Sequence, residues 1–190
     1  MEPSNSQRRH RQNINEAGHA HELTWSCYQG YPFLGRERCC LWLVDAIQQA
    51  RETFDFDIWA WVFMPNHVHI IVHPRRKSYD IATIRQRIKE PVARQALRWL
   101  RENESDWLPR LQRQRGKRLE HLFWQSGGGY DRNITEGTTL LKMINYIHEN
   151  PVRKELVTRG RDWKWSSAAW YVDQSEVPII PDAIPPDWLE

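Results

Sequence analysis

Phe63-Met64-Pro65-Asn66-His67-Val68-His69-Ile70-Ile71-Val72 decides the fold, because it joins two apolar runs through a Pro-Asn pair. Asp57 to Met64 and His67 to His73 read as the strands of a hairpin with Pro65-Asn66 at its tip. A two-residue tip pairs Met64 with His67 and places them on one face. Trp59, Trp61 and Phe63 then join Val68, Ile70 and Val72 on the core-facing side, leaving the smaller Ala60 and Val62 near the histidines. Pro-Asn is not the usual tip sequence, and a longer turn would exchange the neighbours of the second strand. Side chains alternate along a strand, so His67 and His69 point the same way, about 7 Å apart along the chain. That spacing suits one metal ion, and it equally suits two hydrogen-bonded structural histidines.

On the N-terminal side, His21 to Cys27 reads as a strand with Leu23, Trp25 and Cys27 on one face, followed by a turn around Gly30 to Pro32. Arg36 to about Glu52 has apolar residues at helical spacing, including Leu41, Val44, Ala46 and Ile47. Asp80 to about Asn103 reads as a second helix that buries Ile81, Ile84, Ile88, Val92 and Leu97, with a break or kink expected at Pro91. Trp107 to Arg118 is irregular and basic. Leu122 to Gln125 reads as a strand, and Gly127-Gly128-Gly129 as a flexible bulge or a close backbone approach. Strand, helix, strand, strand, helix, strand is the ferredoxin-like order, an α+β fold whose antiparallel sheet carries its helices on one face.

A further helix over Gly137 to Asn150 would lie against that sheet. Leu140, Ile144 and Ile147 form its buried stripe, while Tyr146 and Asn150, four residues apart, are neighbours off the stripe's centre. His148 points away from Tyr146. The chain divides into a flexible basic arm over 1–17 (Arg8, Arg9, His10 and Arg11), a domain over 18–171, and a Pro-rich tail over 172–190, extended along the domain or free.

A chain of 190 residues builds one good core, and its net charge of only +3 leaves any nucleic-acid affinity to local patches. Cys27, Cys39 and Cys40 have no metal-type spacing and fit a reduced cytosolic setting. No apolar run approaches the ~18 residues of a membrane span, and the basic start lacks a signal peptide's apolar region, so a soluble cytoplasmic protein is expected.

Met64 to His69, Tyr146-Ile147-His148-Glu149-Asn150-Pro151-Val152-Arg153 and Trp163-Lys164-Trp165-Ser166-Ser167 together resemble the REP-associated tyrosine transposases, within the single-tyrosine HUH transposase family. Gly18 to Thr24, and Phe123-Trp124-Gln125 through Tyr130-Asp131-Arg132, look like that family's first and fourth strands. The resemblance covers roughly 18 to 171 in the family's order. It implies that Tyr146 is a nucleophile forming a 5′-phosphotyrosine, and that His67, His69 and the Asn150 carbonyl hold Mg²⁺ or Mn²⁺. The implied substrate is single-stranded or hairpin DNA from repeated palindromic elements, with a nucleoid location when bound, and a homodimer is one arrangement in which such sites work. Tyrosine is ordinarily protonated at neutral pH, so a neighbour must share its proton. Lys142, one turn earlier, could lower the tyrosine's pKa, contact phosphate, or belong to a solvated face. Arg110, Arg113, Arg115, Lys117 and Arg118 suit phosphate contacts, and Trp107 suits base stacking. Two other readings share these residues: a domesticated relative that grips hairpins without cutting, and a metal-dependent nuclease that activates water.

Overall fold

The computed structural model describes residues 13–189. The basic cluster Arg8 to Arg11 of the expected arm lies outside the described residues. Strand β1 (Ala20–Ser26) leads through helix α1 (Glu37–Phe54) to the hairpin β2 (Phe56–Met64) and β3 (His67–Pro74), and then to α2 (Ile81–Glu102). After the short helix α3 (Trp107–Arg110), a second hairpin, β4 (Gln112–Arg115) and β5 (Arg118–His121), precedes the strand β6 (Tyr130–Ile134). Helix α4 (Gly137–His148), one turn of α5 (Asn150–Arg153) and α6 (Ala168–Asp173) complete the set. The four-stranded sheet runs β2-β3-β1-β6 with every pair antiparallel, the ferredoxin-like arrangement expected from the order of elements.

Met64 does pair with His67. The unusual tip is held from outside: Cys27 donates its amide to the Asn66 carbonyl (2.8 Å) and Leu34 donates to that of Pro65 (2.9 Å). One residue departs from the expected alternation. The β2–β3 register shifts between Ile58 and Ala60, and this bulge turns Trp59 to the histidine side, where it joins Ala60, Val62 and Met64 and stacks on His73 at 4.6 Å. Ile58 takes its place on the other face beside Trp61 and Phe63.

The two faces are covered differently. Helices α1 and α2 bury Leu23, Trp25, Phe56, Trp61, Phe63, Val68, Ile70 and Val72, each fully buried aliphatic or aromatic side chain being worth about 1.5–3 kcal/mol. Helix α4 covers much of the opposite face, setting Leu140, Ile144 and Ile147 against Ala20, Ala60, Val62, Ile71 and Ile134, with Trp163, Ile184 and Trp188 packed beside it. On α1 the buried stripe runs through Cys40, Leu43, Val44 and Ile47, so Leu41 is half exposed. Pro91 does not break α2, which continues for 22 residues; Ile84, Ile88, Val92 and Ala96 keep it seated on the core. Leu97 turns half-buried toward a satellite cluster near α3.

Leu122 to Gln125 is not a strand. A single bridge joins Trp124 to Cys27, and Trp124 donates Nε1–H to the Lys89 carbonyl (2.8 Å), which ties the segment to α2. The fourth strand begins only at Tyr130. Between them Gly129 adopts φ +77°, and a Cβ there would stand 2.2 Å from the Thr24 carbonyl, so the glycines mark a close backbone approach. The outer edge of β2 is also covered. Phe63 donates to the Trp165 carbonyl (2.8 Å), the Trp61 amide donates to Ser167 Oγ (2.9 Å), and farther along Ile58 and Asp182 exchange two hydrogen bonds. The segment 163–182 thus occupies an edge that would otherwise invite pairing. Among the described residues no helix is long and apolar enough to cross a membrane, and the three cysteines are buried and free.

Candidate active site

His67 and His69 project from β3 toward α4, with ring centroids 5.0 Å apart and planes at 80°. An oxygen engages Nδ1 of each ring. His67 Nδ1 lies 2.7 Å from Asn66 Oδ1, and His69 Nδ1 lies 2.8 Å from Thr24 Oγ1 and 3.3 Å from Glu22 Oε1. Carbonyl and carboxylate oxygens only accept, so Nδ1 carries the proton of each neutral ring and the Nε2 lone pair is the one that faces a ligand. This is the tautomer of a histidine that ligates through Nε2 with an oxygen acceptor behind it. Burial foremost, then the neighbouring His69 and Lys154, pushes His67 down to about 4. Its imidazole is therefore neutral at pH 7.

Tyr146 leaves α4 toward the same pair. Its ring stands edge-on to His69, centroids 5.8 Å apart at 82°, and 39 % of the residue is exposed, so it is not a core tyrosine. Arg153, two helical turns on, donates from Nη2 to the Tyr146 carbonyl (2.8 Å) and lays its guanidinium 4.0 Å from the tyrosine ring centroid. Asn150 opens α5 after α4 has ended, yet its Nδ2 donates to the same Tyr146 carbonyl at 3.0 Å. With that donor committed, Asn150 Oδ1 is the atom left for a ligand role. Lys142 is exposed on α4. His148 is buried on the other side, 2.8 Å from Ser167 Oγ, and burial pushes it down to about 4; it seats α4 against the segment covering β2.

Among the described residues no three His, Cys, Asp or Glu side chains gather as a metal-binding group. A divalent ion at the two imidazoles would need oxygen donors of another kind, and the Asn150 amide oxygen has that chemistry. Glu22, Thr24, Arg153 and Lys154 were not singled out from the sequence. Glu22 and Thr24 alternate with Leu23 on a predicted strand, which showed that they share a face but not that this strand lies beside His69. Arg153 carried a clearer signal, seven residues after Tyr146 on one helical face.

The stretch Trp107 to Arg118 is ordered, a correction to its reading as irregular: Trp107–Arg110 form α3, and Gln112–Arg115 pairs with Arg118–His121 in the β4–β5 hairpin. Arg113 is used internally: it donates to Glu120 Oε2 (2.6 Å) and to Ser126 Oγ. Arg115 stands 3.8 Å from Glu120 and directly opposite Arg118 across the turn. Like charges facing each other there cost stability unless an anion intervenes. Lys117 and Arg118 are exposed. Trp107 is half-buried against Tyr31 and Phe33, with Arg110 4.9 Å from its ring centroid. The hairpin is anchored through Tyr28 and Leu111 at the end of the α1/α2 layer.

Fold and site define a ferredoxin-like domain in which a His-x-His strand faces a tyrosine-bearing helix. The family Transposase IS200 like matches residues 19–150, a span holding every one of these elements, and the chain belongs to that family. It is a transposase-family protein that acts on DNA. No curated protein shows significant sequence similarity to the chain. Among solved structures, it is similar to a REP-associated tyrosine transposase bound to a REP hairpin, with 18 % identity and a TM-score of 0.64 over 92 % of this chain and 93 % of that one. A putative transposase from Deinococcus radiodurans R1 matches at 15 % identity and a TM-score of 0.45, over 73 % of this chain and 96 % of that one. At these identities the first likeness speaks to the fold, which agrees.

Proposed function

We propose that the protein nicks and rejoins single-stranded DNA at repeat hairpins, with Tyr146 as nucleophile. The observation that carries this reading is the convergence on Tyr146 of a ligand-ready histidine pair from β3 and a guanidinium from α5. The Tyr146 hydroxyl attacks phosphorus, a 5′-phosphotyrosine bond forms as the bond to the 3′ oxygen breaks, the phenolic proton departs, and the leaving oxygen is protonated. The new ester keeps the energy of the old one, so a 3′ hydroxyl can reverse the step and join strands without ATP. Arg153 holds a positive charge beside the nucleophile and orients its backbone, and Lys154 adds charge near His67, both suited to the nonbridging oxygens. His67, His69 and Asn150 would hold Mg²⁺ or Mn²⁺, which supplies Lewis acidity at the phosphate. Glu22 and Thr24 fix the His69 ring for that purpose. The hairpin preference is supported by the fold shared with a transposase bound to a REP hairpin. Lys142 and the pair Lys117 and Arg118 are proposed phosphate contacts.

Labelled hairpin DNA with a single-stranded flank, incubated with protein and Mn²⁺, should give a covalent adduct on a denaturing gel. Tyr146→Phe should bind the DNA normally and form none. Cleavage by Tyr146→Phe at near wild-type rate would instead indicate attack by water, and binding without cleavage by the unaltered protein would indicate a hairpin-binding role.

A further inference from the structure

Away from the histidines, Arg85 of α2 is only 6 % exposed, and its Nη1 has no hydrogen-bond partner. A buried unpaired guanidinium nitrogen is costly and calls for an explanation. Lys89, one turn along the same face, donates to the Gly127 carbonyl (3.1 Å). Neither cation forms an ion pair among the described residues. Asp80 and Asp131 act on Arg85 only from a distance; Asp131 spends Oδ1 on His21 (2.9 Å), and its Oδ2 is itself unpartnered. Burial and the neighbouring Arg85 pull Lys89 down to about 8. The two cations line a cavity of about 400 Å³ with Trp124, Gly127, Gly128 and the acidic Glu90 at its rim. Gly128 stands close against the guanidinium, since a Cβ there would meet Arg85 Nη2 at 2.5 Å.

The cavity's place in the sheet suggests its ligand. Two residues after Gly128, Tyr130 pairs with Thr24, and Thr24 pairs with His69. With strands about 4.8 Å apart, the glycine loop lies on the order of 10–15 Å from the histidine pair around the end of β1. A strand leaving the active site over Thr24 and Tyr130 would reach it within a few nucleotides.

We propose that Arg85, Lys89 and the Gly127–Gly129 loop form a phosphate-binding subsite for the single-stranded DNA flank, distinct from the site of cleavage. The inference rests on the function proposed above. Charge-assisted bonds from a guanidinium and an ammonium suit one phosphodiester, and the glycines let its oxygens approach the loop backbone.

Anisotropy measurements with a hairpin bearing a single-stranded flank, and with the same hairpin lacking it, provide the test. Arg85→Gln and Lys89→Gln should each weaken flank-dependent binding by about 3–10-fold and reduce the slope of log affinity against log salt by about 1, leaving the flankless hairpin unaffected. Replacing successive flank phosphates with neutral methylphosphonates should reveal one sensitive position in the wild type that becomes insensitive in Lys89→Gln. Should Arg85→Gln fail to fold, Lys89→Gln decides alone. Flank affinity unchanged in a folded Lys89→Gln variant would overturn the subsite. Thermal stabilisation by inorganic phosphate that the variants lose, with flank binding intact, would overturn the DNA assignment in favour of a free anion. Wild-type protein that binds neither hairpin would refute the proposed function itself; binding that ignores the substitutions refutes only this subsite.

Discussion

The two faces of one sheet are built to different rules. Beneath α1 and α2, the central strands present a mostly apolar surface, interrupted by the buried His21, and two long helices seal it. Beneath α4, the same strands present Glu22, Thr24, His67 and His69 beside the small Ala60 and Val62. A single 12-residue helix covers part of that face and leaves its polar end open, with Tyr146 at the rim. Stability and chemistry are therefore separated by about the thickness of a strand, since consecutive residues of β3 serve opposite faces.

That separation is most sharply tested on β3 itself. Ile70→Ala should cost about 2–5 kcal/mol of unfolding free energy, read by denaturant melts, because it opens a cavity in the sealed face. His67→Ala should change stability by no more than about 1 kcal/mol, yet abolish divalent-dependent adduct formation, as should chelation of the unaltered protein by EDTA. If His67→Ala unfolds the domain while keeping adduct formation in the folded fraction, the division between faces fails.

A smaller effect is expected one strand away. Glu22→Gln preserves shape and keeps a carbonyl acceptor but removes the charge behind His69, so the Mn²⁺ concentration needed for half-maximal adduct should rise about 10–100-fold. An unchanged metal requirement would make Glu22 a purely structural residue. Smallest of all should be the effect at the β4–β5 hairpin. Lys117→Gln with Arg118→Gln should flatten the salt dependence of DNA binding by about 1–2 in log–log slope. Arg113→Gln should leave that slope unaltered, because its guanidinium already serves Glu120 and Ser126.

Local spacing was enough wherever periodicity met a single strong partner. The stripe Leu140, Ile144 and Ile147 and the off-stripe position of Tyr146 follow from the 3.6-residue repeat, and the structure keeps them, while the Met64–His67 pairing is that of the two-residue tip, the shorter of the two turns the sequence left open. Trp59 escaped that logic because a bulge adds a residue without a local sequence mark. Leu122 to Gln125 has a strand's composition, but Trp124 is bound to α2 and the glycines delay pairing until Tyr130. Arg113 looked available because charge density does not reveal which carboxylate the chain folds back to meet.

The amino-acid sequence by itself determined the order of the elements from β1 to α2, the faces of β3 and of α4, and the motifs that mark the transposase family, since each depends on spacing within one segment. Tertiary structure alone decided the register of β1 on β3, which brings Glu22 and Thr24 to His69. It also decided that Arg153 folds over Tyr146, and that Arg85 and Lys89 share a cavity with a glycine loop about 40 residues downstream. Such pairings join residues far apart in the chain, and they are selected by the packing of whole layers, which no local repeat encodes.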